Sequence, residues 1–401
     1  MLKKKNIKYK IGYYTSANIH HLTPLLLLYS HLGGIFYIYK NQATYNYLRE
    51  KYNHLSINIY FSDSIKDIKL AIRQNKIRLM IYSDFSDLNI VKSIQVFNDC
   101  GDDNSMVHPE LAKYDLLFFS GNKIKDKLEQ LGILKRLKNW KITGYPKLDP
   151  VMSNKLVGAK KKVFDNSRKT ILYAPTSLKE HENEHEPSSL PLWAKHIITS
   201  LYGEYNLIIK YHGIVRRKTN NIYKQIDALI LSLDAEDSVR LIIDDNIVEY
   251  MVQSDMVITD ISSVAYEWFH FDKPIVFVNP DPGYFARSDD IFASTLSWQA
   301  GDVVEKYDDL LECVNKNLRF DEYGDQRNKL LQYTVKNPDG KALDRQIKHV
   351  LKFYKKYEKK SYFRFFLFSY LLKRFKIIKY KLMLRRYKKL IGTFIDRQPG
   401  N

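Results

Sequence analysis

Cysteine is almost missing from this 401-residue chain. Cys100 and Cys313 stand far apart with no C-x-x-C pair, which excludes a disulfide framework and a thiolate metal site and fits a reducing cytoplasm. Long apolar runs are missing as well: the longest in the tail, Phe365 to Leu372, is interrupted by Ser369 and too short to cross a bilayer. The basic stretch Met1 to Lys10 leads into a strand rather than an apolar run, so no signal peptide is expected. Signatures of nucleic-acid modules are lacking too, and nucleic acid is not an expected partner. A soluble or peripheral protein is expected.

With 45% apolar residues the chain can bury substantial cores, and its length suits two domains plus an appendage. The net charge of +19 is unevenly spread. Lys352 to Lys389 holds fifteen Lys/Arg against one acid, Glu358, so the body is only mildly basic. Between Tyr354 and Lys389 these cations interleave with aromatics such as Tyr362, Phe363, Phe365, Phe366 and Phe368. That pattern predicts a basic amphipathic helical tail lying on an anionic inner leaflet, although a solvated charged helix packed on the body has the same composition.

Strand-like and helix-like segments alternate along the rest. Strands are expected at Ile7–Tyr14, Gly34–Tyr39, Ile57–Phe61, Arg78–Tyr82, Val91–Phe97 and Leu116–Ser120, with helices between. A second alternation begins at Thr170–Pro175, after a polar connection from Val151 to Lys169, and ends with helices at Tyr307–Leu318 and Gly340–Tyr357. The pattern predicts an α/β fold of GT-B type, two Rossmann-like domains facing across a cleft. The expected boundaries are 1–155, 156–353 and a tail from 354 to 401.

The chain is organised around residues 255–282. Met256–Thr259 reads as a buried strand, Asp260-Ile-Ser-Ser263 as a polar turn, Val264–Phe271 as a helix and Pro274–Val278 as the next strand. A carboxylate and two hydroxyls before a helix N-terminus suit an anionic ligand such as phosphate, and equally suit a simple helix cap. Two more strand ends share this character: Tyr173-Ala-Pro-Thr-Ser177 and Lys210-Tyr-His-Gly213. In an open parallel sheet such loops face one crevice, where Thr176, Ser177, Lys210, His212, Gly213, Ser262 and Ser263 would suit a pyrophosphate. His181-Glu-Asn-Glu-His185 matches H-E-x-x-H literally, but its polar, Pro-bounded setting reads as a loop near the cleft.

The blocks Gly144-Tyr-Pro-Lys-Leu-Asp149, Tyr173-Ala-Pro-Thr176, Lys210-Tyr-His-Gly213, Ser254–Val264 and Asp272-Lys-Pro274 together resemble the CDP-glycerol glycerophosphotransferases of teichoic-acid and capsule synthesis. The resemblance covers about residues 90 to 350. It implies a GT-B enzyme moving an alditol phosphate from a CDP-alditol to a hydroxyl of a membrane-bound acceptor such as a lipid-linked glycan, releasing CMP; no cofactor or metal is expected, and the tail's composition adds the inner face of the membrane as the expected location. The first domain would take the acceptor and the second the donor. Carried over, His212 contacts or protonates the departing phosphate, Asp260, Ser262 and Ser263 hold the CDP pyrophosphate and ribose, and Glu267 takes the ribose hydroxyls. The family usually has a His-Gly pair where this chain reads Asn98-Asp-Cys-Gly-Asp-Asp103. Asn98 cannot accept a proton as an imidazole does, which leaves Asp99, Asp102, His108, His20 or His21 as the base. A nucleotide-sugar glycosyltransferase and a non-catalytic relative are the alternatives.

Overall fold

The computed structural model describes residues 9–16, 19–52, 57–97, 99–102, 104–153, 162–177, 188–210, 220–242, 247–358 and 382–384. The readings placed on Asn98, His181–His185, His212, Gly213 and nearly all of the tail lie outside the described residues.

The first lobe is a seven-stranded, all-parallel sheet. Its strands are β1 (Ile11–Thr15), β2 (Ile35–Tyr39), β3 (Ile59–Ser62), β4 (Leu79–Tyr82), β5 (Lys92–Val96), β6 (Leu116–Phe119) and β7 (Trp140–Ile142), in the order β3-β2-β1-β4-β5-β6-β7. β1, β4 and β6 are buried throughout, as expected for parallel strands covered on both faces. Its helices include α1 (Thr23–Leu32), α2 (Gln42–Lys51), α3 (Ile65–Gln74) and α4 (Asn122–Gln130), followed by a short α5 (Asp149–Met152). Capping chemistry sets their ends. Asn41 accepts from the Thr44 N–H at 2.9 Å to start α2, Ser64 from the Asp67 N–H at 3.3 Å to start α3, and Gly33, at φ 64°, closes α1.

The second lobe is a six-stranded parallel sheet. It contains β8 (Thr170–Tyr173), β9 (Asn206–Lys210), β10 (Val239–Ile242), β11 (Met256–Thr259), β12 (Ile275–Val278) and β13 (Asp302–Val304), in the order β10-β9-β8-β11-β12-β13. Its helices are α6 (Leu190–Leu201), α7 (Asn220–Ser232), α8 (Val248–Gln253), α9 (Val264–Trp268), α10 (Leu310–Arg319) and α11 (Gly324–Thr334). The expected single helix from Val264 to Phe271 is α9 with a 3₁₀ turn over Phe269–Phe271, closed by Asp272 at φ 49°. α11 and β13 were not expected, because α11 is mostly polar and β13 has only three residues.

The last described long helix, α12 (Ala342–Glu358), returns to the first lobe instead of closing the second. Its Val350, Phe353 and Tyr354 are buried with Ile11, Leu25 and Phe36, and Tyr354 Oη accepts from the Lys10 N–H at 3.0 Å. The lobes also share apolar surface: Cys100, Tyr145 and Leu148 are buried in one cluster with Trp268, Phe269 and Leu330. No described helix is long and apolar enough to cross a membrane.

Candidate functional site

Each sheet reverses its winding once, and ligands of open α/β sheets bind beyond the strand ends at that point. In the second sheet the reversal falls between β8 and β11, whose adjacent exits are residues 174–177 and 260–263. Two of the three loops that the sequence singled out therefore lie side by side. Lys210 ends β9, one strand away, and is buried.

Asp260 ties these exits together. One carboxylate oxygen accepts from the Thr176 N–H at 2.9 Å and its hydroxyl at 2.8 Å. The other accepts from the Ser189 N–H and hydroxyl, both at 2.7 Å. The Trp298 indole donates to the Asp260 carbonyl at 3.1 Å. Burial pushes the Asp260 carboxyl up from its ordinary value, while the four donors pull against that. With 0% exposure and both oxygens engaged by its own chain, Asp260 organises the loops, at a position the sequence reading gives to a pyrophosphate ligand. Ser262 accepts from the Val264 N–H at 3.3 Å, and Ser263 precedes α9 without a side-chain cap. Thr176, Ser177, Ser262 and Ser263 are each half-buried, at the edge of this crevice.

Glu267 is engaged as well. The side chain expected to take ribose hydroxyls is buried against the first lobe, where it accepts from the Tyr145 hydroxyl at 2.8 Å and from Lys147 at 2.6 and 2.8 Å through its two oxygens. Its neighbour Tyr266 donates to Asp102 at 2.6 Å, and Lys123 pairs with the same carboxylate at 2.9 Å while lying 3.6 Å over the Tyr266 ring. Asp102, named as a candidate base, is taken up in this way. His108 is committed as well. Its Nδ1 accepts from the Glu110 N–H at 3.2 Å, and burial lowers its pKa below the usual histidine value. His20 and His21 lie on the 3₁₀ turn Ile19–Leu22 that follows β1.

Asp99 is brought to the crevice. The loop 99–102 leaves β5 and passes so close to the second lobe that a Cβ on Gly101 would stand 2.5 Å from the Ser263 Cβ and 3.1 Å from an Asp99 carboxylate oxygen. Asp99, half-buried, thus lies near the Ser263 turn across the lobe boundary. Cys100 beside it is buried, and burial raises its thiol pKa far above the ordinary value.

The sequence profile of the family described as CDP-Glycerol:Poly(glycerophosphate) glycerophosphotransferase matches residues 101–352. The chain belongs to this family. Among its relatives, a teichoic acid glycerol-phosphate primase of Bacillus spizizenii is 32% identical over 123 residues, 30% of this chain and 28% of that protein. A teichoic acid poly(ribitol-phosphate) polymerase of the same organism is 24% identical over 190 residues, 47% of this chain and 28% of that protein. The chain thus spans well under half the length of these curated relatives. The solved wall teichoic acid polymerase TagF is similar in fold, with a TM-score of 0.58 at 15% identity over 89% of this chain and 92% of that one. The GT-B-like pair of lobes expected from the sequence is the fold of this glycerophosphotransferase-family chain.

Sequence reasoning missed Ser189 and the pairs Tyr145–Glu267, Lys147–Glu267 and Asp102–Tyr266. Ser189 carries no local signal, since its partner lies 71 positions away. The Gly144–Asp149 block was visible as a motif, and its partners were not.

Proposed function

We propose that the protein transfers glycerol phosphate from CDP-glycerol to a hydroxyl of a lipid-linked, teichoic-acid-like acceptor, releasing CMP. The observation that carries this reading is the meeting of Asp99 and Gly101 with the Ser263 turn at the second sheet's switch point, in a chain of this family. The names of its relatives support an alditol-phosphate donor. In this reading the first lobe takes the acceptor. Its hydroxyl oxygen attacks the phosphorus bearing glycerol, the bond from that phosphorus to the oxygen of CMP breaks, and the hydroxyl proton passes to Asp99. Ser177, Lys210, Gly213, Ser262 and Ser263 hold the pyrophosphate, Thr176 supports them through its two bonds to Asp260, and His212 meets the charge on the departing CMP. Asp260 keeps those loops in place.

The fifteen cations between Lys352 and Lys389 favour attachment of the tail to the anionic inner face of the membrane. Removing residues 359–401 is expected to abolish sedimentation with anionic vesicles; unchanged sedimentation refutes the attachment.

The deciding assay is CMP release from CDP-glycerol and CDP-ribitol, with and without lipid-linked acceptor. Acceptor-dependent release from CDP-glycerol supports the reading. Turnover with nucleotide sugars alone turns it into a glycosyltransferase, and no turnover beside a competent acceptor leaves a non-catalytic relative.

A further inference from the structure

The block Gly144-Tyr-Pro-Lys-Leu-Asp149 lies at the junction of the lobes, and four of its residues make specific contacts there, two of them with one carboxylate. Gly144, at φ 91°, lets the chain pass where a Cβ would stand 2.8 Å from the Arg345 guanidinium and 2.9 Å from the Lys336 carbonyl oxygen. Tyr145 and Lys147 hold Glu267. Asp149 accepts from the N–H groups of Ala342 and Leu343 at 3.1 and 2.6 Å, capping the helix that returns to the first lobe.

Glu267 lies one helical turn beyond Ser263, and its N–H donates to the Ser263 carbonyl at 3.3 Å. Whatever fixes Glu267 therefore fixes the backbone of the Ser262–Ser263 turn. Tyr266, the adjacent residue, is held by Asp102 in the same loop that carries Asp99 and Gly101. Two grips on neighbouring residues, from two different elements of the first lobe, set the rotation of α9 as well as its distance. Glu267 is buried and Lys147 half-buried, and such a pair adds little stability over an apolar contact of the same shape while admitting few geometries.

We propose that Lys147 is a positioning residue for the transfer reaction: by holding Glu267 it seats α9, and with it the Ser262–Ser263 turn, at a fixed spacing from Asp99. Tyr145 and Asp102 share this task. None of the three touches substrate in this scheme. The kinetic arm of the test rests on the transferase reading; the distance arm does not.

The test uses the full chain with Lys147→Met, Lys147→Arg and Tyr266→Phe. Leu70→Cys and Phe320→Cys, both at exposed positions in different lobes, carry nitroxide labels in a Cys313→Ser background for pulsed EPR. Lys147→Met is expected to lower kcat for CDP-glycerol by about 100-fold, with CDP affinity by calorimetry unchanged and a broadened interlobe distance distribution. Lys147→Arg is expected to restore a narrow distribution and most of kcat. If Lys147→Met does not fold, Tyr266→Phe is expected to show the same split, since it releases the second grip.

An unbroadened distribution in Lys147→Met overturns the proposal whatever the activity. So does a loss of CDP affinity matching the loss in kcat/KM, which makes Lys147 a direct ligand. If Lys147→Met does not fold, an unbroadened distribution in Tyr266→Phe overturns it in the same way. If the wild-type chain turns over no CDP-alditol, the transferase reading fails, and a broadened distribution still upholds the seating of α9.

Discussion

Tyr266 and Asp102, 164 positions apart, meet across the lobe boundary through a 2.6 Å hydrogen bond from phenol to carboxylate. Burial and the neighbouring carboxylate hold the phenol's pKa far above its ordinary value. Lys123 pairs with the same carboxylate oxygen at 2.9 Å. Tyr266→Phe removes one charge-assisted bond and keeps the ring under Lys123. A loss of about 1.5–3 kcal/mol in urea unfolding is expected, whereas Asp102→Ala, which strands a buried lysine, is expected to lose about 3–5 kcal/mol.

Asp260 offers a sharper contrast with its neighbours. Asp260→Asn places an amide NH₂ against either the Thr176 or the Ser189 backbone N–H, with an expected cost of about 3 kcal/mol and loss of CDP binding as the loops separate. Ser262→Ala removes a half-exposed hydroxyl. It is expected to change stability by less than about 1 kcal/mol while weakening CDP binding, so calorimetry and unfolding together distinguish the organising residue from the contacting one.

Gly101 tests the closeness of the lobes. An added Cβ would lie 2.5 Å from the Ser263 Cβ and 2.9 Å from its Cα, so backbone has to move. Gly101→Ala is expected to lose about 1–3 kcal/mol of stability through overpacking and to lower turnover by about 100-fold through displacement of Asp99 from the turn. Both are read in one preparation by thermal unfolding and CMP release.

His270 predicts an acid sensitivity. Burial lowers its pKa to about 4, only partly offset by the bond from Nδ1 to the Tyr266 carbonyl at 3.2 Å and by Glu267 nearby. Between pH 6.5 and 4 the unfolded chain binds a proton that the folded chain excludes, so stability falls as pH falls through this window. The group contributes about 3 kcal/mol to that change across the window. His270→Gln is expected to flatten the unfolding free energy between pH 4 and 6.5 relative to wild type.

The α/β alternation and the placing of β11 were legible in the chain because buried parallel strands read as short apolar runs, as in Met256–Thr259 and Ile275–Val278. Thr176 and Asp260 were identified through their strand-end positions, and the switch-point rule then required their proximity. α11 and β13 were not legible, because a polar helix and a three-residue strand gain their order from packing rather than from their own pattern.

The sequence by itself determined the two-lobed class, the strand ends that form the crevice and the family. Only the tertiary structure decided which polar groups face that crevice. A carboxylate in a turn reads identically whether it meets a ligand or four donors of its own chain. What separated Asp260 and Glu267 from Ser262 was the arrival of Ser189, Tyr145 and Lys147 from distant segments. Hydrogen bonding and desolvation depend on neighbours in space, and a pattern in one dimension does not specify them.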